Sequence, residues 1–214
     1  MSFKTKKYQV IRGALSKELA NFIFNYIMLQ RDAVDFMIKQ NKVNSANPFI
    51  GNRKDHQVPG AYSKYADWVM ETLLMYMIPI MKTKTGLELI PTYSYTRVYE
   101  KGNILKRHKD RPSCEVSTTL HLGGDEWPIF LDPSGQSFVI DEYKNIHKPG
   151  APKGVSILLN PGDMLIYSGC DLEHWREPFE GNVCVQTFLH YNNLDGPFGN
   201  KNLYDGRPKL GIPK

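Results

Sequence analysis

Hydrophobic and polar positions along this chain follow two periods, and the change falls near residue 87. Before it, apolar residues recur every three or four positions, as on an amphipathic helix. Leu19, Phe22, Ile23, Tyr26 and Ile27 make one such run, with Ser16 placed to cap the first turn and Glu18 near its positive end. That face is predicted to be buried, and a further helical piece is predicted over residues 31–39, carrying Val34, Met37 and Ile38. Residues 40–60 turn polar and rich in Asn, Pro and Gly, including Asn47-Pro48 and Pro59-Gly60. They predict a long loop, as apt to be a lid or binding element as to be disordered. A second helix is predicted over about residues 63–82, with Tyr65, Trp68, Val69, Thr72, Leu73 and Tyr76 along one side. Pro79 is expected to kink or end it, and Gly86 to close the helical region. The stripe Trp68, Met70, Met75, Tyr76 and Met77 reads as core.

From Leu87 onward short β-rich runs alternate with turn formers such as Gly123-Gly124-Asp125, Asp132-Pro133-Ser134-Gly135 and Pro161-Gly162-Asp163. Strands are predicted at 89–99, 105–109, 115–122, 129–131, 138–141, 155–159, 164–167, 173–176 and 183–191. Helices first and strands afterwards predict an α+β, mainly β fold, with helices packed on one face of a two-sheet sandwich or barrel. In the strand at 115–122, Val116, Thr118, Leu120 and Leu122 form a face for the helices, while Ser117, Thr119 and His121 are free to line a pocket. The Gly-, Pro- and Lys-rich residues 192–214 predict an extended wrap or a frayed end.

Composition narrows the class only a little. A chain of 214 residues, 41% hydrophobic and 23% charged, suits one soluble domain, and its net charge of +5 favours anionic partners without demanding them. Three cysteines, Cys114, Cys170 and Cys184, with no Cys-x-x-Cys pair, argue against a disulfide framework or a structural zinc site. No signal peptide is readable, and the longest apolar windows are too short for a bilayer, so a cytoplasmic protein with no membrane partner is expected.

Candidate chemistry gathers at His108-x-Asp110, at the end of a predicted strand. Residues two apart on a strand share a face, so an imidazole nitrogen and a carboxylate oxygen can reach one ion. His174 lies several strands later, and a closed or jelly-roll sheet can bring it alongside. Two histidines and one carboxylate would leave coordination positions open on non-haem Fe(II). The alternative is a solvated turn and an ordinary buried histidine. Arg176, two residues beyond His174, shares its face and could hold an anionic cosubstrate through a bidentate carboxylate pair. Its bland alternative is a surface ion pair with Glu173 or Glu177. His121 either donates to the same anion or is a half-buried histidine.

The order of helices, Tyr99, His108-x-Asp110, a Pro-Gly-Asp turn, His174 and a final strand ending Phe188-Leu189-His190-Tyr191 resembles the 2-oxoglutarate- and Fe(II)-dependent oxygenases, in particular the prolyl-4-hydroxylase-like branch. The resemblance covers roughly residues 88–191. It implies a double-stranded β-helix (jelly-roll, cupin-like) core at 87–191, helical support and loop at 1–86, a tail at 192–214, and one domain overall. It also implies catalytic iron held at His108, Asp110 and His174, with Tyr99 and His121 contacting the cosubstrate. The implied cofactors are Fe(II), 2-oxoglutarate and O2, with ascorbate supportive, and the products succinate, CO2 and a hydroxylated C–H. One position departs from the pattern: the basic residue that usually anchors 2-oxoglutarate on the strand after the last histidine is replaced by Val183 and Cys184. Strand parity makes Arg176 the substitute.

A peptide or protein substrate, hydroxylated on a residue such as proline, is the first expectation. Lys106, Arg107, Lys109 and Arg111 around the site motivate oxidative dealkylation of nucleic acid as the alternative. A small-molecule hydroxylase and a non-enzymatic cupin-like module holding zinc or nickel also remain open.

Overall fold

Two antiparallel sheets face each other, and the long helices lie against the outside of the larger one. The computed structural model describes residues 3–47, 50–142, 144 and 146–214. Residues 1–2 and Pro48 of the expected Asn47-Pro48 turn lie outside them. The described elements are α1 (Phe3–Lys6), β1 (Tyr8–Ile11), α2 (Lys17–Lys39), β2 (Tyr62–Tyr65), α3 (Trp68–Thr85), β3 (Leu89–Glu100), β4 (Leu105–His108), β5 (Val116–Gly124), β6 (Ile129–Leu131), β7 (Val139–Asp141), β8 (Ile146–His147), β9 (Val155–Ile157), β10 (Met164–Ser168), β11 (His174–Arg176) and β12 (Val183–Asn193), with 3-10 turns at Pro112–Cys114 and Leu203–Gly206. The larger sheet has the order β1-β10-β5-β12-β3-β2 and the smaller β4-β11-β6-β9, while β7 and β8 form a separate hairpin. The chain passes back and forth between the two sheets. This winding is a jelly-roll double-stranded β-helix.

Each strand of the large sheet has two chemically different faces, because side chains alternate. Outward-facing Val98, Val116, Leu120, Leu122, Met164, Ile166, Val185 and Leu189 form one apolar core with Ile23, Ile27, Met70, Leu74, Met77 and Met81 of the helices. The inward face of β5 carries Ser117, Thr119 and His121, as the alternation predicts, and each hydrogen-bonds a side chain between the sheets. Inside the barrel these polar groups sit beside two smaller apolar clusters, one with Tyr99, Leu105, Trp127 and Phe188 and one with Ile129, Leu131, Leu165 and Tyr167.

The helices differ from expectation in ways that have physical causes. α2 runs unbroken from its Ser16 cap, whose side chain accepts from Leu19 N at 3.2 Å, to Lys39, so the two predicted pieces are one. It buries Ala20, Ile23, Ile27 and Val34, whereas Leu19 and Phe22 face outward. Where a second helix was expected to begin, Tyr62–Tyr65 instead pairs with β3 as an edge strand. Ala66, at φ 56°, reverses the chain, and the Asp67 side chain then caps α3 by accepting from Val69 N and Met70 N. This start sets the helix phase: Met70, Leu73, Leu74 and Met77 are buried, while Trp68, Met75 and Tyr76 of the expected core stripe are exposed. Pro79 does not end α3. It lies on the solvent side, so the carbonyl its ring displaces is not stranded in the core. Gly86 closes the helix in the left-handed conformation at φ 67°.

Two irregular stretches prove to be structural. In the 40–60 loop, Asn52 bridges to Ser63, and Val58 is buried with Tyr99, Leu105, Trp127 and Phe188. The C-terminal tail wraps the body through Arg207, whose guanidinium donates to Glu71 at 2.6 and 3.2 Å and to Thr92 O at 3.1 Å, all buried. Breaking a buried, multiply bonded pair from one side strands a charge, at a cost of about 3–5 kcal/mol. Arg207→Met should therefore lower the unfolding free energy by about 3 kcal/mol in urea titrations. A loss near zero would mean that the tail is not integral to the fold.

Candidate metal and cosubstrate site

Antiparallel pairing of β4 with β11 sets His108 directly opposite His174, with ring centroids 4.2 Å apart. Two steps further the register slips, and Arg176 faces Leu105 instead of the residue two before His108. The extra residue in β4 is a β-bulge. It lets Leu105 and His108, three apart, both line the interior, while Arg107 points out of the barrel to Glu173 and Asp132.

Asp110 comes just after β4, not within it. Its backbone N–H donates to Gly169 O at 2.9 Å, which docks the turn against the segment leading to β11. Gly169 is required there, because a Cβ would lie 2.3 Å from Asp110 Oδ2. Asp110 Oδ1 then stands 3.7 Å from His108 Nε2 and 3.6 Å from His174 Nε2. Those separations are too long for hydrogen bonds and suit three ligand atoms around one cation, each at about 2.1 Å.

Each of the three candidate ligands has its other polar atom committed. His108 Nδ1–H donates to Lys106 O at 2.7 Å and His174 Nδ1–H to Leu172 O at 3.0 Å, which leaves both Nε2 lone pairs facing Asp110. Ser117 Oγ donates to Asp110 Oδ2 at 2.8 Å and accepts from His190 Nδ1 at 2.9 Å, leaving Oδ1 for the shared point. Burial, and next the neighbouring His174, push His108 down to about 3, so it is a neutral donor. Burial opposes ionisation of Asp110, and the surrounding imidazoles of His174, His108 and His190 together hold the carboxyl well below its usual range. The donor set thus fits a divalent ion. A second group of ligand-type atoms, Asp110, Cys114 and His190, fits less well. Burial drives the Cys114 thiol far up, and its sulfur is paired with Tyr93 Oη at 3.0 Å.

A cavity of about 280 Å³ opens onto these three residues. Its walls are largely aromatic, with Tyr65, Tyr93, Tyr95, Tyr167 and Phe188, and they include Gln57 from the 40–60 loop. The loop is tied down by Arg97, which donates to Asp55 at 2.6 and 3.2 Å and to Gln57 at 2.7 Å.

Arg176 does point inward with His174, as strand parity requires, and makes no ion pair with Glu173 or Glu177. Its guanidinium donates to Trp127 O and to Thr119 Oγ1, the latter at 3.3 Å, and lies over the Trp127 ring at 5.0 Å. Among the described residues no carboxylate meets it, and its Nε is buried without a partner. Burial lowers its pKa, while nearby Cys184, Tyr99 and Tyr167 work the other way. Tyr99 is completely buried, and His121 is buried with Nδ1 2.8 Å from Gln186 Nε2. None of Arg176, Tyr99 and His121 lines the open cavity; they form a closed polar layer beside it. Gln186 accepts in turn from Thr119 at 3.0 Å, so His121, Gln186, Thr119 and Arg176 make one connected chain. A buried guanidinium with an orphaned N–H fits a missing small carboxylate.

The basic cluster motivating a nucleic-acid substrate is largely spent internally. Arg107 is buried between Glu173 and Asp132, and Arg111 pairs with Asp205 at 2.8 and 2.9 Å. The residues not singled out from the sequence are Arg97, Asp55, Gln57, Ser117 as the Asp110 partner, and Tyr167. Arg97 was readable in principle, since it alternates with Tyr93, Tyr95 and Tyr99 on β3. Its partner in a distant loop was not.

The strand order and this site together give the chain the fold of the 2-oxoglutarate- and Fe(II)-dependent oxygenases. A prolyl-4-hydroxylase of Pseudomonas putida is similar with a TM-score of 0.59 and 16% identity, over 89% of this chain and 95% of that one. HygX from Streptomyces hygroscopicus, solved with nickel, 2-oxoglutarate and hygromycin B, gives 0.59 at 13% identity, over 89% and 84%. SnoN, a non-haem α-ketoglutarate-dependent epimerase from nogalamycin biosynthesis, gives 0.63 at 11% identity, over 99% and 92%. No protein-family model matches the sequence, and no curated protein does.

Two expectations follow. Ser117→Ala frees Asp110 to rotate and should weaken Co(II) or Ni(II) binding about tenfold in calorimetry; unchanged affinity would mean that the hydroxyl does not orient the carboxylate. Burial pushes both His121 and His190 down to about 4 from an ordinary 6.5. Between those values the unfolded chain takes up protons that the folded chain refuses, so stability is full above about 6.5 and falls as pH drops towards 4. Urea midpoints of the metal-free protein should fall across this window, and His121→Gln should flatten the slope.

Proposed function

We propose that the chain acts as a single Fe(II)- and 2-oxoglutarate-dependent oxygenase domain that hydroxylates a C–H bond with release of succinate and CO2. The observation that carries this reading is the coexistence, on one short strand, of a metal-ligand histidine and a buried arginine that lacks a carboxylate. His108, Asp110 and His174 hold the iron, which when bound supplies the oxidation of an unactivated C–H using O2 and the cosubstrate.

The remaining work belongs to the protein's own groups. Arg176 receives the distal carboxylate of 2-oxoglutarate, in place of the usual anchor lost at Val183 and Cys184, and Thr119 and Tyr99 complete the acceptor end. His121 is neutral, and in this reading it holds Gln186 and Thr119 in place instead of bearing charge towards the cosubstrate. Ser117 and Gly169 keep Asp110 in one orientation. The aromatic walls exclude water from the reacting side, and the loop bearing Gln57 closes over it.

The substrate in this reading is a peptidyl residue such as proline. In this reading the cavity of about 280 Å³ takes one substrate side chain over the ligand residues, while the distal carboxylate of the cosubstrate enters the closed layer at Arg176 beside it. The fold shared with the Pseudomonas putida prolyl-4-hydroxylase supports it. A small-molecule substrate is the second reading, favoured by the likeness to HygX solved with hygromycin B. Three unpaired cysteines suit a reducing compartment such as the cytoplasm.

Succinate formation from 2-oxoglutarate with Fe(II) and ascorbate, with and without proline-containing peptides, tests the proposal. Peptide-dependent succinate is expected. Peptide-independent turnover stimulated by small metabolites would shift the substrate class. Absence of succinate, together with no visible-region band on anaerobic mixing, would leave a metal-binding module. Arg176→Gln should raise the apparent KM for 2-oxoglutarate about a hundredfold, the worth of a charge-assisted pair of about 3 kcal/mol. Fe(II) affinity should hold in that variant, and an unchanged KM would remove Arg176 from the cosubstrate site.

A further inference from the structure

Four tyrosines line the cavity, and three of them have their hydroxyls spent on the protein itself. Tyr65 Oη donates to Asp205 at 2.7 Å and Tyr95 Oη to Asp55 at 2.8 Å, while Tyr93 Oη is paired with Cys114 Sγ at 3.0 Å. Tyr167 is the exception. It is 2% exposed, and its hydroxyl has no hydrogen-bond partner among the described residues. Unlike Arg176 Nε, that hydroxyl is not sealed off, so it opens on the cavity. A phenylalanine would fill the same space without leaving a donor unmet.

The strand sets where the hydroxyl stands. Along β10, Met164 and Ile166 join the core under the helices, which turns Leu165 and Tyr167 between the sheets. Tyr167 pairs with Ser117 of β5, the residue whose hydroxyl holds Asp110. Its ring lies against His174, with centroids 4.6 Å apart. The phenol also sits in the field of both ends of the site: burial drives its pKa far up, Asp110 adds to that, and Arg176 opposes it. A ligand reaching from the ion to the guanidinium therefore passes Tyr167, nearest the end held beside His174 and Asp110.

We propose that Tyr167 is a cosubstrate-binding residue: its O–H donates to the carboxylate of 2-oxoglutarate that lies next to the ion, while Arg176 takes the far one. The inference rests on the proposed reading of the site as an Fe(II)- and 2-oxoglutarate-dependent centre. The keto acid is then gripped at both ends and lies one way round only.

Titrations of the full-length protein loaded with Co(II), followed anaerobically in the visible region, test it with two keto acids. One is 2-oxoglutarate; the other is pyruvate, which keeps the near carboxylate and lacks the far one. Tyr167→Phe should weaken both about tenfold, whereas Arg176→Gln should weaken 2-oxoglutarate alone. The Tyr167→Phe protein should keep the wild-type melting temperature without metal and the wild-type affinity for Co(II), because the hydroxyl bonds nothing in the chain and is not a ligand. Loss of Co(II) affinity in that variant would make Tyr167 a metal ligand and overturn the proposal, as would unchanged binding of 2-oxoglutarate. A loss confined to 2-oxoglutarate would move the contact to the far carboxylate and overturn the near-end assignment. If the wild-type Co(II) protein binds neither keto acid, the cosubstrate reading itself fails, and this inference with it.

Discussion

A guanidinium buried between two sheets, with no carboxylate to meet it among the described residues, sets Arg176 apart from the other buried arginines of this fold. Arg97, Arg107 and Arg207 are also buried, but each has an acid within hydrogen-bond reach: Asp55, Glu173 with Asp132, and Glu71. Arg176 has a carbonyl, a hydroxyl and the face of an indole. These lessen the desolvation cost without supplying the opposite charge. The difference separates arginines that hold the architecture from one held ready for something else.

That readiness depends on a sheet with two incompatible faces. The outward residues of β3, β5, β10 and β12 are apolar and carry the helices, so the large sheet is rigidly backed. Its inward residues include hydroxyls, amides, imidazoles and phenols, many of them linked to one another, beside the apolar Leu165 and Phe188. Because the backing is rigid, a polar network inside can hold fixed directions, which an ion site and an anion site both require. The 40–60 loop and the C-terminal tail complete the enclosure by ion pairs: Asp55 to Arg97 on one side of the cavity and Asp205 to Arg111 on the other.

Much of the β half was legible in the sequence. Strand alternation located nine of the twelve described strands to within a few residues, missing β1, β2 and β8, and the polar–apolar split of β5 predicted which side chains face inward. His108, Asp110 and His174 came together as a closed sheet allows, with a bulge in β4 and a docked turn at Asp110 doing part of that work, and Arg176 turned inward beside them as strand parity requires. The helical half was less legible. α2 and α3 carry apolar residues on more than one face, so periodicity alone leaves the phase open, and the Asp67 cap with the turn at Ala66 decided it for α3. Partners separated by long stretches of chain, such as Asp55 for Arg97 or Arg207 for Glu71, leave no local signal. Such pairs become visible only when the chain is folded.

Each histidine of the candidate metal site is held by a carbonyl two residues earlier in its own segment, Lys106 O for His108 and Leu172 O for His174. The tautomer is therefore written into the backbone, and the chelating face exists before any ion arrives. A preformed face of two imidazoles and one carboxylate ranks divalent ions by their intrinsic ligand preferences, under which nickel and copper outbid iron. Which ion such a face would take then rests heavily on the free concentrations that its surroundings maintain.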